Sequence, residues 1–160
     1  MMSGMTAFTI VHVVLSLVGI VSGLVVVAGL ISARRLDGWT LLFLVTTVAT
    51  SVTGFGFPFD HLLPSHVVGL ISLVVLAVAI LARYLRHLAG AWRTAYVIGT
   101  VLALYLNVFV LIVQAFRRVP ALAAMAPTQS EPPFLFAQLL VMALFVVLGI
   151  AAVRGFRDRV

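Results

Sequence analysis

The chain has 160 residues, 64% of them hydrophobic and 9% charged, with no cysteine and a formal net charge of +6. A water-soluble domain is ordinarily about a quarter charged, so this composition excludes one, and the missing cysteines exclude disulfides, thiolate metal sites and thiol redox chemistry. All ten basic residues are arginines in short clusters between apolar runs, the pattern that orients a membrane protein and not the contiguous basic stripe that would read nucleic acid.

Five apolar runs follow in chain order, at residues 7–32, 39–57, 65–84, 94–116 and 134–153. Each has about 19 residues or more, against the roughly 20 that a bilayer core requires. Within hydrocarbon the backbone groups must be bonded inside the segment, so each run is predicted to be a transmembrane helix. Met1–Thr6 carries no Lys or Arg, and the run after it is too long for a signal-peptide core, so the first helix is expected to be retained. The breaks are Arg34, Arg35, Asp37 and Gly38; then Pro58, Asp60, His61 and Pro64; then Arg83, Arg86, His87, Gly90 and Arg93. The fourth break runs from Arg117 to Pro133 with four prolines, and its middle, residues 121–126, is expected to be a short helix on the membrane surface. Ser65 and Ser130 are expected N-caps. The predicted fold is an all-α bundle of about five membrane helices forming a single domain over residues 1–160.

Charge asymmetry sets the expected orientation. With the N-terminus outside, Arg34, Arg35, Arg83, Arg86, Arg93, Arg154, Arg157 and Arg159 fall inside and only Arg117 and Arg118 fall outside. Trp39 and Trp92 then lie at the inner interface, where indoles prefer to sit. The localisation this implies is a bacterial-type inner (plasma) membrane, crossed several times.

In that orientation the unusual polar residues collect near the outer surface. His12 lies about 7 Å below the outer boundary, at 1.5 Å of rise per residue. His66 opens the third helix, where the helix dipole disfavours an imidazolium. Thr50 and Thr53 on the second helix, Gln114 on the fourth and Gln138 on the fifth are at similar depth. Polar groups within a membrane are expensive unless paired and tend to face protein or a cavity. The same groups also serve as glue between helices, without any ligand. Asn107 lies near the midplane on one face with Thr100 and Gln114, seven residues apart. His12, Thr53, His66, Asn107, Gln114 and Gln138 are therefore the expected ligand-binding residues. Asp60, His61, His66 and Glu131 have the donor types of a zinc or copper site at the outer loops, although the spacing matches no metal motif.

Phe8, Phe55, Phe57, Phe59, Phe109, Phe116, Phe134 and Phe136 lie in the outer half, so an aromatic-lined pocket or a lipid-facing belt is expected there. His12, Ser16, Gly19 and Gly23 form one stripe on the first helix, which predicts that His12 faces the bundle and meets Gln138, Gln114, Thr53, His66 or a bound molecule. In the second helix Thr46, Thr50 and Thr53 share one face and Thr47, Ser51 and Gly54 another. Arg117 and Arg118 are expected to pair with Glu131 across the long loop. No acidic residue falls in the five runs, and there is no phosphate loop, nucleophile elbow, HExxH pair or inverted repeat.

In size and plan the chain resembles small bacterial inner-membrane proteins. Four-helix haem b proteins carry histidine pairs at spanning depth on facing helices; here only His12 is clearly at that depth and no second pair exists, so the resemblance does not extend to them. The expected function is a histidine-bearing, Phe-lined cavity near the outer leaflet that holds a small apolar ligand, lipid, quinone or metal-bearing cofactor, or an accessory subunit with such a cavity. The alternatives are a homo-oligomeric channel or transporter, in which Asn107 would line a shared axis, and a small membrane enzyme using His12 and His66 as acid and base. The expected partners are the lipid bilayer, further copies of the chain or a larger membrane complex, and no nucleic acid.

Overall fold

The computed structural model describes residues 2–57 and 64–157, with side chains described over 6–57 and 66–156. It is 86% helix, and no strand occurs among the described residues. The helices are α1 (Met2–Ile31), α2 (Asp37–Gly54), α3 (Pro64–Ile80), α4 (Ala91–Arg118), the short α5 (Pro120–Met125) and α6 (Pro132–Arg157). Each apolar run lies on one of the five long helices, and the short helix expected at 121–126 is α5.

Among the described residues, four helices are long and apolar enough to cross a membrane: Thr6–Ile31, His66–Leu85, Ala91–Arg118 and Pro132–Phe156. That suggests a multi-pass membrane protein. The second run, expected to span over 39–57, is not among the four. α2 is 18 residues long, begins on Asp37 and carries Thr40, Thr46, Thr47, Thr50, Ser51 and Thr53. It also stops at Gly54, because the N–H groups of Phe55 and Gly56 turn back onto Val52 and Thr53. Large apolar side chains stand exposed along the outer faces of α1, α3 and α6, including Val21, Leu70, Val74, Leu139, Leu144 and Val147. In water such a surface would drive association; in a bilayer it meets lipid tails.

The helices run alternately up and down. Gly19 of α1 lies against Thr46, Thr47 and Asn107, and Gly23 against Phe43 and Leu104, so α2 and α4 both run antiparallel to α1. Gly99 of α4 abuts Val75 and Ala79, and Tyr96, earlier on α4, meets Arg83, later in the chain, so α3 runs antiparallel to α4. α1, α2, α3 and α4 therefore form a ring in which each contacts the next and α4 closes back on α1. α6 packs outside that ring, against α1 and α4. At Gly155 in that outer contact a Cβ would stand 2.2 Å from the carbonyl oxygen of Ile31. Only a residue without Cβ lets the two backbones approach so closely. The main core lies in the half of the ring holding the C-terminus of α1 and the N-terminus of α2, around Val26, Leu30, Phe43, Leu76, Tyr96, Leu104 and Phe156. A smaller apolar cluster of Phe116, Ala126 and Phe134 sits beneath α5 at the other end.

α3 does not end as an ordinary helix. Leu81–Leu85 forms a π-helical turn, in which the N–H of Arg86 bonds to Leu81 O at 2.9 Å. The wider turn rotates Arg83 inward, so a residue expected in the third break between helices is 3% exposed. Its guanidinium donates to the Tyr96 hydroxyl at 3.0 Å and to the Asp37 carboxylate, and it lies 5.3 Å from the Tyr96 ring centroid. α2, α3 and α4 are thus tied together at one end of the ring. The opposite end is open.

Candidate functional site

At the open end the four ring helices leave a cavity of about 640 Å³, within the range of small-molecule sites. Space arises because small residues line it where larger ones would meet: Ser16 on α1, Ser51 and Gly54 on α2, and Gly69 and Ser72 on α3. The lining residues deepest along each helix are Ser16, Thr47, Ser72 and Leu106, with Asn107 next to Leu106. Val13, Val68, Leu106, Val110 and Leu111 supply apolar wall. Thr9, Phe57, His66, Arg117 and Arg118 lie toward the mouth. No acidic side chain lines the cavity among the described residues.

The polar groups are fixed by specific bonds. His12 Nδ1 lies 2.8 Å from Thr53 Oγ1, joining α1 to α2. The imidazole stands edge-on to Phe57, with ring centroids 5.1 Å apart and planes at 84°. Gly54 leaves room beside it, since a Cβ there would come within 3.7 Å of His12 Cε1. One turn deeper, Ser16 donates to Asn107 Oδ1 at 2.9 Å, and Asn107 Nδ2 reaches back toward Ser16 O at 3.4 Å. The α2 hydroxyls are mostly committed within their own helix: Thr46, Thr50 and Thr53 donate to Leu42 O, Thr46 O and Ala49 O at 2.7–2.8 Å. Such back-bonding is the usual local satisfaction of a helical threonine. Thr47 has no such bond, and its buried hydroxyl abuts Gly19 without a partner.

Of the six residues expected to bind a ligand, His12, His66, Asn107 and Gln114 line this cavity, and Thr53 stands behind His12 as its hydrogen-bond partner. Gln138 does not line it. α6 packs outside the ring, so Gln138 faces α4, where Nε2 donates to Phe109 O at 3.3 Å and Oε1 is buried without a partner. Gln114 accepts from Arg118 Nε at 3.1 Å, one turn on along α4. His66 is 4% exposed and packs on Phe55, with centroids 5.4 Å apart. Two of the eight outer phenylalanines, Phe55 and Phe57, line the cavity, and Phe8 packs on Phe57 with centroids 4.9 Å apart. Phe116 and Phe134 instead pack on each other beneath α5, and Phe136 is 69% exposed. Phe59 lies outside the described residues.

Asp60 and His61, expected as metal ligands, also lie outside the described residues. Among the described residues no three His, Cys, Asp or Glu side chains come together in a way that could hold a metal ion. Glu131, expected to join them, is engaged locally. It accepts from the Thr128 hydroxyl at 2.7 Å, the Thr128 N–H at 3.2 Å and the Ser130 N–H at 3.1 Å. The Thr128 hydroxyl bond is the main reason its carboxyl is held below the usual carboxylate range. The expected pairing of Arg117 and Arg118 with Glu131 is absent: the ion pairs among the described residues join Asp37 to Arg35 and to Arg83. Local donors one and three residues away reach Glu131 at less entropic cost than two arginines across the loop.

Sequence reasoning missed the Arg83–Asp37–Tyr96 cluster. The signal available was an arginine within one turn of the end of an apolar run, with the chain's first acidic residue at the same end of the bundle. No protein family matches the chain, and no curated protein or solved structure matches it.

Proposed function

We propose that this chain is a five-span membrane protein that holds a small amphipathic molecule in the cavity between α1, α2, α3 and α4. The observation that carries the reading is the cavity itself: about 640 Å³, apolar in its walls, with His12, Ser72, Asn107 and Gln114 offering hydrogen bonds inside it. An apolar cavity with a few convergent polar groups is the usual composition of a ligand site. α2 serves as the fifth span, at about 27 Å of helix. It lies beside α1 and α3, and the back-bonded threonine hydroxyls reduce what its polar residues lose on leaving water.

The arginine asymmetry supports an orientation with the N-terminus and the cavity mouth outside, in a bacterial-type inner membrane. Asn107, on which a channel reading would depend, bonds to Ser16 of its own chain. A reporter fused after Val160 and active only in the periplasm would overturn the orientation.

The direct test is native mass spectrometry of the protein released from detergent. The wild type is expected to retain one bound amphiphile. Val110→Trp, which fills the cavity from the α4 wall, is expected to lose that mass while its melting temperature stays within a few degrees of wild type. A wild type with no bound mass, or one that Val110→Trp keeps, would remove the reading.

A further inference from the structure

Resting on the reading that the cavity binds an amphiphile, we infer that its ligand carries a free hydroxyl and donates that proton to Nε2 of His12. The Thr53 hydroxyl has one proton, and it donates that proton to Ala49 O at 2.7 Å. Toward His12 Nδ1, at 2.8 Å, the same oxygen can therefore only accept. A second arrangement, in which Thr53 donates to Nδ1, would leave two oxygen lone pairs facing one another at 2.7 Å. The bonding network thus assigns the proton to Nδ1.

In a neutral imidazole one nitrogen donates and the other accepts, so Nε2 carries the lone pair. Nε2 has no partner in the protein among the described residues, while His12 lines the cavity. The bond to Thr53 and the edge-on contact with Phe57 hold the ring in place. His12 therefore presents a fixed acceptor at the wall of a largely apolar chamber.

That geometry selects among amphiphiles. A carboxylate or phosphate would set its own lone pairs against Nε2, and the cations able to receive it are Arg117 and Arg118 nearer the mouth. An ether or ester oxygen has the same mismatch. An alcohol or phenol meets Nε2 with a proton, and its apolar remainder lies along Val13, Leu106 and Val110. Hydroxylated isoprenoid rings, long-chain alcohols and monoacylglycerols share this chemistry.

The test compares a phenol with its methyl ether, which lacks that proton, and with a carboxylate. Binding of 4-octylphenol, 4-octylanisole and octanoate to the detergent-purified full chain is measured by isothermal titration calorimetry at about pH 8, above an ordinary imidazole pKa and below that of a phenol. The phenol is expected to bind about tenfold more tightly than the anisole, the size of one net hydrogen bond in a dry site. His12→Phe is expected to bring that ratio close to one while the anisole still binds. His12→Gln, whose carbonyl oxygen accepts, is expected to restore part of the preference. Equal affinity of phenol and anisole for the wild type would overturn the inference and leave the cavity reading standing. Octanoate binding more tightly than the phenol would overturn it in favour of an anionic ligand. Failure of all three probes to bind would overturn the inference together with the reading beneath it.

Discussion

Removing the charge of Asp37 leaves the buried Arg83 guanidinium without an anionic partner, beside the Tyr96 hydroxyl that also accepts from it. Arg83 is 2% exposed over its side chain and Asp37 is 75% exposed, so the two partners are unequal. Breaking a fully buried ion pair from one side costs about 3–5 kcal/mol, whereas an exposed pair is worth about 0–1 kcal/mol. Water at Asp37 screens the interaction, and the Tyr96 ring retains part of the stabilisation of the cation. Asp37→Asn should therefore cost about 1–3 kcal/mol. The same change made in an Arg83→Met background should cost less than about 0.5 kcal/mol, because no buried charge is then left unpaired. Reversible unfolding in mixed detergent micelles, followed by circular dichroism, gives both values and their coupling. Arg35 also touches Asp37, at 3.5 Å, but that pair is exposed and adds little. If Asp37→Asn costs the same in both backgrounds, Arg83 does not depend on Asp37, and the inward turn at Leu81–Leu85 is not what ties this end of the ring together.

Gly155→Ala sets a Cβ against backbone at Ile31 and should cost about 1–3 kcal/mol. Gly149→Ala, where the nearest atom is Val101 Cγ1 at 3.6 Å, should be neutral or slightly stabilising; equal effects in the same unfolding assay would contradict the close approach of α1 and α6. Glu131, whose carboxyl is held below its ordinary range in the folded loop, contributes stability that is fully present above the ordinary carboxylate pKa. That contribution is lost as pH falls through the lowered value, so the protection of the Thr128 and Ser130 amides from hydrogen exchange, relative to the intrinsic rate at each pH, should fall on acidification, and Glu131→Gln should remove that change. Gln138→Leu should change stability by less than about 1 kcal/mol, because it removes one long hydrogen bond and one orphaned oxygen together. Loss of bound ligand in that variant, detected by native mass spectrometry, would bring α6 into the site.

The helices were legible because hydrocarbon leaves a long apolar run no alternative to satisfying its own backbone, and arginine, proline and glycine mark where that constraint ends. The α1 stripe was legible for a similar reason: His12, Ser16, Gly19 and Gly23 share one face at helical spacing, and all four meet α2 or α4. Spacing within one helix does not state which other helix lies opposite, however. Gln138 has the same depth as Gln114, yet α6 lies outside the ring and Gln138 packs away from the cavity. α2 shows a second limit. Its threonines read as contacts between helices, but their protons return to the turn below, so Thr53 takes part as an acceptor. Arg83 was misread because a π-helical turn changes the face that a residue occupies, and the hydropathy pattern carries no mark of that change.

The ring is open at one end and closed at the other, and the cysteine-free sequence permits a clean measurement of that difference. Single cysteines are placed at Ser72, a deep lining residue of the cavity, and at Leu76, one turn further along α3 in the closed core. The measured quantity is the rate of labelling by a small methanethiosulfonate reagent in native membranes. Ser72→Cys is expected to react at least about tenfold faster than Leu76→Cys, whose site is 1% exposed, and to be protected by 4-octylphenol. Equal, slow labelling of both positions, unchanged by the phenol, would contradict an open cavity and with it the binding function proposed for this protein.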